Sequence, residues 1–246
     1  MARNATPARM PATRRDVGQI RGRCALVIAT LFDFNGVLVD DELVHLAAFA
    51  DVLGPLGIEL TRELYDERYL AYDDRGCFRA VLADHGRAHD DATVAKLVDA
   101  KKPHYRARIE TGLRIFPGAV DLVRRRAALG PIGIVSGALE DEIRFAVAAM
   151  GVADLVRFIV PAEHTQACKP DPEGYVLGVG LARGLGATGT IVAIEDATNG
   201  VKAAKAAGLR CVAVTHSYGR EALLAAGADS VVDALSEATD AVLQGA

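Results

Sequence analysis

Cysteines are few and isolated in this sequence. The 246-residue chain contains four, Cys24, Cys77, Cys168 and Cys211, without a CxxC pair or histidines at metal-ligand spacing. This pattern argues against a disulfide framework and against a zinc site, and it is typical of a protein in a reducing compartment. We therefore expect a cytoplasmic protein.

Long apolar runs and an excess of positive charge are also lacking. No stretch of eighteen apolar residues occurs, which argues against a transmembrane helix. The formal net charge is −4, so no overall attraction to nucleic acid or to an anionic membrane is expected. Hydrophobic residues make up 51% of the chain, enough to bury a full core. We expect a monomer or a weak dimer, with neither nucleic acid nor a membrane as a partner.

The first 24 residues differ from the rest of the chain. They are rich in arginine, alanine and threonine, and Asp16 is their only acidic residue. They lack the apolar core of a signal peptide, although their composition loosely resembles that of a transit peptide. We expect residues 1–24 to be a disordered leader or an over-long start, with Met10 as an alternative first residue.

The order of strand-like and helix-like segments predicts an α/β protein with an insertion. Residues 25–40 begin with an apolar, β-branched run that is typical of a buried parallel strand. Residues 41–113 show helical patterns and no convincing strand, and strands and helices alternate again over residues 114–246. Such alternation predicts a doubly wound, Rossmann-like parallel sheet with helices on both faces. The predicted domains are a core of residues 25–40 and 114–246 and a small helical cap of residues 41–113.

Polar residues end several of the predicted strands, and their types are complementary. Carboxylates with an amide oxygen suit Mg²⁺, and a lysine and a serine suit phosphate, because phosphoryl transfer depends on positioning and charge neutralisation. Two adjacent acids at a buried strand end repel each other unless a cation is present. An aspartate in such a site can act as a nucleophile and form an aspartyl-phosphate. The residues concerned are Asp33, Asn35, Ser136, Lys169, Glu195 and Asp196.

Four segments in this order, DFNGVLVD, IVSGA, CKPDPEGY and IEDATNGVKAAKAAG, resemble the four motifs of the haloacid dehalogenase superfamily. The closest likeness is to its members with a helical cap after the first motif, such as β-phosphoglucomutase and phosphoglycolate-type phosphatases. The resemblance covers roughly residues 25–235. It implies a Mg²⁺-dependent phosphatase that acts on a small phosphorylated metabolite, such as a sugar phosphate.

The resemblance also implies roles for single residues. In the core, Asp33 is the nucleophile and a metal ligand, Asn35 offers the metal its backbone carbonyl, and Asp196 with Glu195 completes the metal site. Ser136 with the amides after it, from Gly137 onward, and Lys169 hold phosphate, and Gly36 is the turn glycine. Three cap residues have expected roles near the substrate: His45 matches a histidine of the mutase-like members, Lys101 matches a cap lysine, and Arg75 lies in the specificity loop.

Asn35 departs from the family pattern, because hydrolytic members carry a second aspartate there as general acid and base. An amide cannot transfer that proton, and losing such help costs about 10² to 10⁴ in rate. We therefore expect a slow phosphatase, with three explanations left open. The leaving group needs no proton, as in acyl or aryl phosphates; His45 substitutes; or the Asn35-Gly36 dipeptide deamidates to aspartate.

Two other functions compete with a phosphatase. The first is a β-phosphoglucomutase-like mutase, which is disfavoured because Gly137-Ala138-Leu139-Glu140 offers no grip for a second phosphate. The second is a ligand-binding or regulatory protein that keeps the metal site and has lost turnover through Asn35. A dehalogenase is less favoured, because its chemistry needs no Mg²⁺ and does not explain Glu195-Asp196.

Overall fold

The architecture is that of a computed structural model, which describes Met1, residues 27–70 and residues 72–245. Apart from Met1, the segment expected to be a leader, residues 1–24, lies outside the described residues.

A single six-stranded sheet forms the centre of the protein. All its strand pairs are parallel, and the spatial order is β3-β2-β1-β4-β5-β6. This is the doubly wound order in which ligands bind beyond the carboxyl ends of the strands, where the order reverses between β1 and β4. The predicted α/β, Rossmann-like fold is thereby confirmed. The strands are β1 (Ala29–Phe32), β2 (Ile132–Val135), β3 (Val156–Val160), β4 (Ile191–Glu195), β5 (Arg210–Val214) and β6 (Ser230–Val232).

Ten α-helices lie within the described residues. Four of them follow β1 in succession: α1 (Glu42–Leu53), α2 (Arg62–Arg68), α3 (Asp74–Asp84) and α4 (Asp91–Gly112). The other six alternate with the strands: α5 (Ala119–Ala127), α6 (Glu140–Ala149), α7 (Glu173–Gly184), α8 (Thr198–Ala206), α9 (Arg220–Ala225) and α10 (Asp240–Gln244). None of the helices in the described part of the chain combines the length and apolarity needed to cross a membrane.

The sheet is buried on both faces. Successive side chains of a strand point to opposite faces, and in β1 Leu31 packs in one apolar cluster while Phe32 packs in the other. Both side chains are fully buried. A strand of this kind has no solvated face, which explains why its sequence is a continuous apolar run rather than an alternating one.

The helices α1 to α4, which we call the cap, have a separate apolar core. Phe49 of α1 packs edge-to-face against Phe78 of α3, with ring centroids 4.9 Å apart. The chain segments before α1 and after α4 cross between sheet and cap near Asp40 and Arg114. The two crossings are bonded to each other, because Asp40 N donates to Arg114 O at 2.9 Å and the side chains form an ion pair at 3.1 Å. Domain limits at 40/41 and 113/114 stay a prediction.

Candidate active site

Three acidic residues lie at the carboxyl ends of the two central strands. Asp33 follows β1, Glu195 is the last residue of the neighbouring strand β4, and Asp196 follows it. All three are buried, with exposed fractions of 8%, 0% and 2%. One carboxylate oxygen of each lies within 4.8 Å of the others. The fold therefore brings Asp33 together with Glu195 and Asp196, which lie 162 and 163 residues later in the sequence.

One ammonium group lies between two of these acids. Lys169 Nζ donates to Asp33 Oδ1 at 2.7 Å, to Glu195 Oε1 at 2.6 Å and to the backbone oxygen of Val135 at 3.1 Å. These are charge-assisted bonds, which are stronger than bonds between neutral groups. Because one lysine faces three carboxylates, the cluster retains an excess of negative charge.

Glu195 is fixed by its surroundings. Tyr175 of α7 donates its hydroxyl to Glu195 Oε1 at 2.6 Å. On the other side, helix α8 comes so close that a Cβ atom on Gly200 would lie 2.1 Å from Glu195 Oε2. Only a glycine leaves room for the carboxylate there, so α8 and α7 together hold the side chain in one position.

Burial and mutual repulsion change the acidity of the cluster. Burial raises the pKa of Asp33 to about 7, with Glu195 adding to the effect and Lys169 opposing it. Burial, with the charges of Asp33 and Glu195, also raises the pKa of Asp196 well above its ordinary value. Both shifts arise mainly from burial, and the repulsion between carboxylates that share one lysine adds to it.

The cluster fits a divalent cation. Asp196 Oδ1 is buried and has no hydrogen-bond partner among the described residues, although an unpaired buried polar atom is costly. The other oxygen, Oδ2, accepts from the Ser217 hydroxyl. Mg²⁺ prefers carboxylate, carbonyl and water oxygens. The residues present therefore suit it, and a cation at this point would remove both the unpaired oxygen and the charge excess.

Gly36 brings a turn against this cluster. Its φ is +75°, a left-handed conformation that favours glycine, and a Cβ atom there would lie 1.9 Å from Asp196 Oδ2. The backbone oxygen of Gly36 lies 2.7 Å from His216 Nδ1, and the His216 ring stacks on Phe116 at 3.8 Å. The predicted turn glycine is thus required both by its backbone and by its contact with Asp196.

Ser136 and Gly137 follow β2, beside Asp33. Ser136 Oγ accepts from the backbone N–H of Ala138 at 3.1 Å and lies 3.5 Å from Asn35 Oδ1, to which it donates. A Cβ atom on Gly137 would lie 3.2 Å from the Cβ of Asp73 in the cap. The loop after β2 is therefore close to the cap. All the predicted core residues except Gly36 line one cavity of about 130 Å³ between core and cap, together with His45.

Asn35 is bound to a carboxylate of the cap. Its Nδ2 donates to both oxygens of Asp41, at 3.0 and 2.9 Å. Asp41 is 1% exposed and also accepts from the hydroxyl of Tyr105 on α4. The pKa of Asp41 is lowered although burial opposes this, because His45, Asn35 and Tyr105 all favour the ionised form. An acidic side chain is therefore present next to Asn35, since Asp41 is its direct hydrogen-bond partner.

His45 lies on the other side of this pair. Its Nε2 is 3.1 Å from Asn35 Nδ2 and 3.4 Å from Asp41 Oδ2, and its Nδ1 is 2.7 Å from Lys101 Nζ. Burial and Lys101 oppose protonation of the ring, but Asp41 and Asp74 outweigh them and raise the pKa of His45 to about 10. Only one hydrogen lies between Lys101 Nζ and His45 Nδ1 at 2.7 Å, so one of the two nitrogens donates and the other accepts.

The sequence profile of haloacid dehalogenase-like hydrolases matches residues 29–208, which is more than half of the chain. The chain belongs to this family. The predicted superfamily is therefore confirmed. The predicted phosphohydrolase is confirmed as well, because relatives matched over most of the chain are named as phosphatases.

Named relatives of this hydrolase agree with the family. The chain is 29% identical over 213 residues to validoxylamine A 7'-phosphate phosphatase of Streptomyces hygroscopicus subsp. limoneus, covering 84% of this chain and 93% of that protein. It is 29% identical over 224 residues to the protein CbbY of Rhodobacter capsulatus, covering 87% and 96%. A crystal structure of a mutant CbbY from Rhodobacter sphaeroides in complex with xylulose-(1,5)bisphosphate superposes with a TM-score of 0.75 at 26% identity, covering 89% and 99%.

Two predicted cap residues of this hydrolase lie outside the cavity. Lys101 is 1% exposed and is paired with Asp74 Oδ1 at 2.5 Å, behind His45. Arg75 is exposed and lines a neighbouring groove with Arg79. The position of Lys101 favours a role in holding His45 and Asp74. The position of Arg75 favours contact with only the far end of a long substrate.

Several site residues were not identified from the sequence. Tyr175 lies inside the third quoted motif, CKPDPEGY, and Gly200 inside the fourth, so both were near a recognised signal. Asp41 and Tyr105 carry no such signal, because they meet only when α1 packs against α4. Ser217 follows β5 and was overlooked because a lone serine after a strand is most often part of a turn.

Proposed function

We propose that this protein is a Mg²⁺-dependent phosphatase that acts on a small phosphorylated metabolite through an aspartyl-phosphate on Asp33. The observation that carries the proposal is the buried trio Asp33, Glu195 and Asp196, with one lysine and an unpartnered oxygen on Asp196. Relatives named as phosphatases of phosphorylated small molecules support the same activity.

In this mechanism Asp33 attacks phosphorus with one carboxylate oxygen. The bond from phosphorus to the leaving oxygen breaks, and an aspartyl-phosphate forms. Water then attacks phosphorus, the bond to Asp33 breaks, and inorganic phosphate leaves. Lys169 and Ser136 are placed to bind phosphate oxygens. Asp33, Asp196 with Glu195, and the backbone carbonyl of Asn35 would hold Mg²⁺, which supplies neutralisation of the phosphate charge when bound.

A phosphatase screen with and without Mg²⁺ tests this function. The native chain should hydrolyse at least one aryl or sugar phosphate only when Mg²⁺ is present, and Asp33→Asn should abolish the activity. Asp154→Asn, at an exposed position outside the cavity, is the matched control and should retain it. Mg²⁺-independent turnover, or full activity in Asp33→Asn, would contradict the proposal.

We further propose that His45 handles the leaving-group proton that Asn35 cannot transfer. The ring lines the cavity and lies 3.1 Å from Asn35, within reach of the expected position of a leaving oxygen. His45→Gln should then lower kcat on an alkyl phosphate such as glucose 6-phosphate by about 10². It should change kcat on p-nitrophenyl phosphate little, because that leaving group needs no proton. Equal losses on both substrates would indicate a structural role instead.

The remaining explanations for Asn35 are less well supported. Deamidation would place a second carboxylate within hydrogen-bond distance of Asp41 (2.9 and 3.0 Å for the present amide), which costs energy unless one of them takes up a proton.

A ligand-binding protein without turnover is the second candidate function, and the specific observation that favours it is Asn35 itself. Tight binding of a phosphorylated ligand with no hydrolysis of any substrate would support it. A bisphosphate-primed mutase would show interconversion of sugar phosphates without phosphate release.

A further inference from the structure

The cap side of the active-site cavity is lined by carboxylates. Glu42 at the start of α1, and Asp73 and Asp74 at the start of α3, all face the space beyond the phosphate-binding groups. The cationic side chains that line the same cavity are His45 and Lys169, and Lys169 belongs to the metal cluster on the core side. The part of a substrate that extends away from its phosphate therefore meets negative charge.

Only one of the three carboxylates has a strong cationic partner. Asp74 is paired with Lys101 at 2.5 Å and lies 3.7 Å from His45. Glu42 accepts the hydroxyl of Tyr65, and Asp73 accepts the backbone N–H of Gly76 at 2.7 Å, but neither forms an ion pair within the described part of the chain.

The environment of Glu42 and Asp73 penalises their charge. Burial raises the pKa of Glu42, although the charge of His45 and the hydrogen bond from Tyr65 oppose it. Burial also raises the pKa of Asp73, although the hydrogen bond from Gly76 and the charge of Arg75 oppose it. A cation bound beside either carboxylate would reduce this penalty. A second phosphate or a carboxylate in the same place would increase it.

Aromatic rings complete this wall. Phe49, Tyr65 and Tyr72 line the cavity beside the carboxylates, and aromatic faces attract ammonium groups. Phe49 already does so within the protein, because Lys101 Nζ lies 4.4 Å from its ring centroid. Carboxylates next to aromatic rings are the combination that suits a protonated amine.

A ligand for this cavity is indicated independently of the acidic wall. Asp196, whose buried Oδ1 has no partner among the described residues, lines the same cavity, at the end where the proposed phosphate and cation would bind. The carboxylates of the cap would therefore contact the part of that ligand that lies away from its phosphate.

We propose that the substrate is an aminated phosphate monoester, in which Glu42 and Asp73 bind a protonated amine while the phosphate meets Asp33 and Lys169. The inference rests on the proposed phosphatase function and specifies its substrate class. It predicts discrimination against substrates that carry a second phosphate at the cap end.

Matched substrate pairs test this directly. Glucosamine 6-phosphate is compared with glucose 6-phosphate, and 2-aminoethyl and 3-aminopropyl phosphate with their hydroxyl counterparts. N-acetylglucosamine 6-phosphate, whose nitrogen is uncharged, is the control ligand. For at least one pair, kcat/KM should be about tenfold or more higher for the amino phosphate than for its hydroxyl counterpart. For the glucosamine pair, N-acetylation should remove this difference in kcat/KM.

Two variants locate the effect. Glu42→Gln keeps an acceptor for Tyr65, and Asp73→Asn keeps an N-cap for α3, so each removes charge with little change of shape. Each should reduce the amine preference severalfold, mainly through KM. Glu59→Gln, an exposed cap residue outside the cavity, should leave the preference unchanged.

The test separates failure of the substrate class from failure of the phosphatase function. Hydrolysis of p-nitrophenyl phosphate without any amine preference, or with preference for bisphosphates, would overturn the substrate class alone. If no phosphate ester is hydrolysed, calorimetric binding of the same pairs to the native chain with Mg²⁺ decides: tighter binding of amines supports the inference, and equal or weaker binding overturns it.

Discussion

Gly200 shows how one missing side chain supports the acidic cluster. A methyl group there would overlap the Glu195 carboxylate, because its Cβ would lie 2.1 Å from Oε2. We expect Gly200→Ala to displace Glu195 from Lys169 and Tyr175, to lower the free energy of unfolding by about 1–3 kcal/mol, and to weaken Mg²⁺ binding. Chemical denaturation and Mg²⁺ titration measure both effects.

Gly180→Ala is the matched control for this change. It also lies in a helix, and nothing lies within 4 Å of its ideal Cβ position. Alanine has the higher helix propensity, so the variant should be as stable as the native chain or more stable by up to about 1 kcal/mol. If both variants behaved alike, the close approach of α8 to Glu195 would not constrain the site.

The pair Asn35 and Asp41 makes an exchange experiment possible. Asn35→Asp alone sets two carboxylates against each other, so we expect it to lower the free energy of unfolding by about 1–3 kcal/mol at pH 7. The double variant Asn35→Asp/Asp41→Asn restores an amide-to-carboxylate bond in the reverse direction. It should recover most of that stability and gain about 10² or more in kcat on glucose 6-phosphate.

A double-mutant cycle over Asn35 and Asp41 reports their coupling. Asp41→Asn alone completes the cycle and removes the charge that faces His45. An Asn35→Asp variant that is as stable as the native chain, and as active as the double variant, would show that Asp41 does not oppose an acid at position 35.

These residues also show what the sequence reveals. Asp33, Glu195 and Lys169 were predicted because each ends a recognisable strand or lies in a quoted motif, and parallel strands end at one edge of the sheet. Asp41 was not predicted, since its neighbour Asp40 and the following Glu42 make it look like one more acid at a helix start. Its burial depends on Tyr105, 64 residues later, and such a contact leaves no local pattern.

For helices and strands, the alternation of strand-like and helix-like segments predicted the parallel sheet, and the patterns of residues 41–113 predicted helices there. Helices α9 and α10 have six and five residues and are too short to show helical periodicity. Pro103 lies inside α4, and the helix continues past it.

Arg126 of α5 connects three elements and is 2% exposed. Its Nε donates to Thr30 Oγ1 of β1 at 2.9 Å, and its Nη1 pairs with Asp240 of α10 at 2.9 Å. We expect Arg126→Ala to lower the free energy of unfolding by about 2–4 kcal/mol, because it leaves a cavity and unpaired partners. Arg124→Ala, on the exposed side of the same helix, should change it by less than about 0.5 kcal/mol. Urea unfolding compares the two, and similar losses would contradict the connecting role.

For the folded protein as a unit, the acidic cluster predicts a coupling between Mg²⁺ and pH. The pKa of Asp33 is raised to about 7 from an ordinary 3.8, so between these values the folded metal-free chain holds more protons than the unfolded chain. This contribution to stability therefore falls as pH rises from 4 to 7. Mg²⁺ needs ionised ligands and competes with those protons.

The increase in Tm caused by Mg²⁺ should accordingly be larger at pH 7.5 than at pH 5.5. Thermal melts at both pH values, with and without Mg²⁺ at constant ionic strength, measure the difference. Other carboxyl groups with shifted pKa values, such as Asp74, cancel because each comparison is made at one pH. An equal Mg²⁺ effect at both pH values would contradict the assignment of Asp33 and Asp196 as ligands.

The bonded crossings at Asp40 and Arg114 have a consequence for redesign of this enzyme. Asp41 is the first residue beyond the entry crossing, and it holds the amide of Asn35 through two hydrogen bonds. The connection between sheet and cap is therefore adjacent to the residue that holds Asn35. Changes near Asp41 that admit bulkier substrates would therefore also disturb Asn35. Tyr72 lines the cavity from the cap and is a better position at which to engineer substrate size.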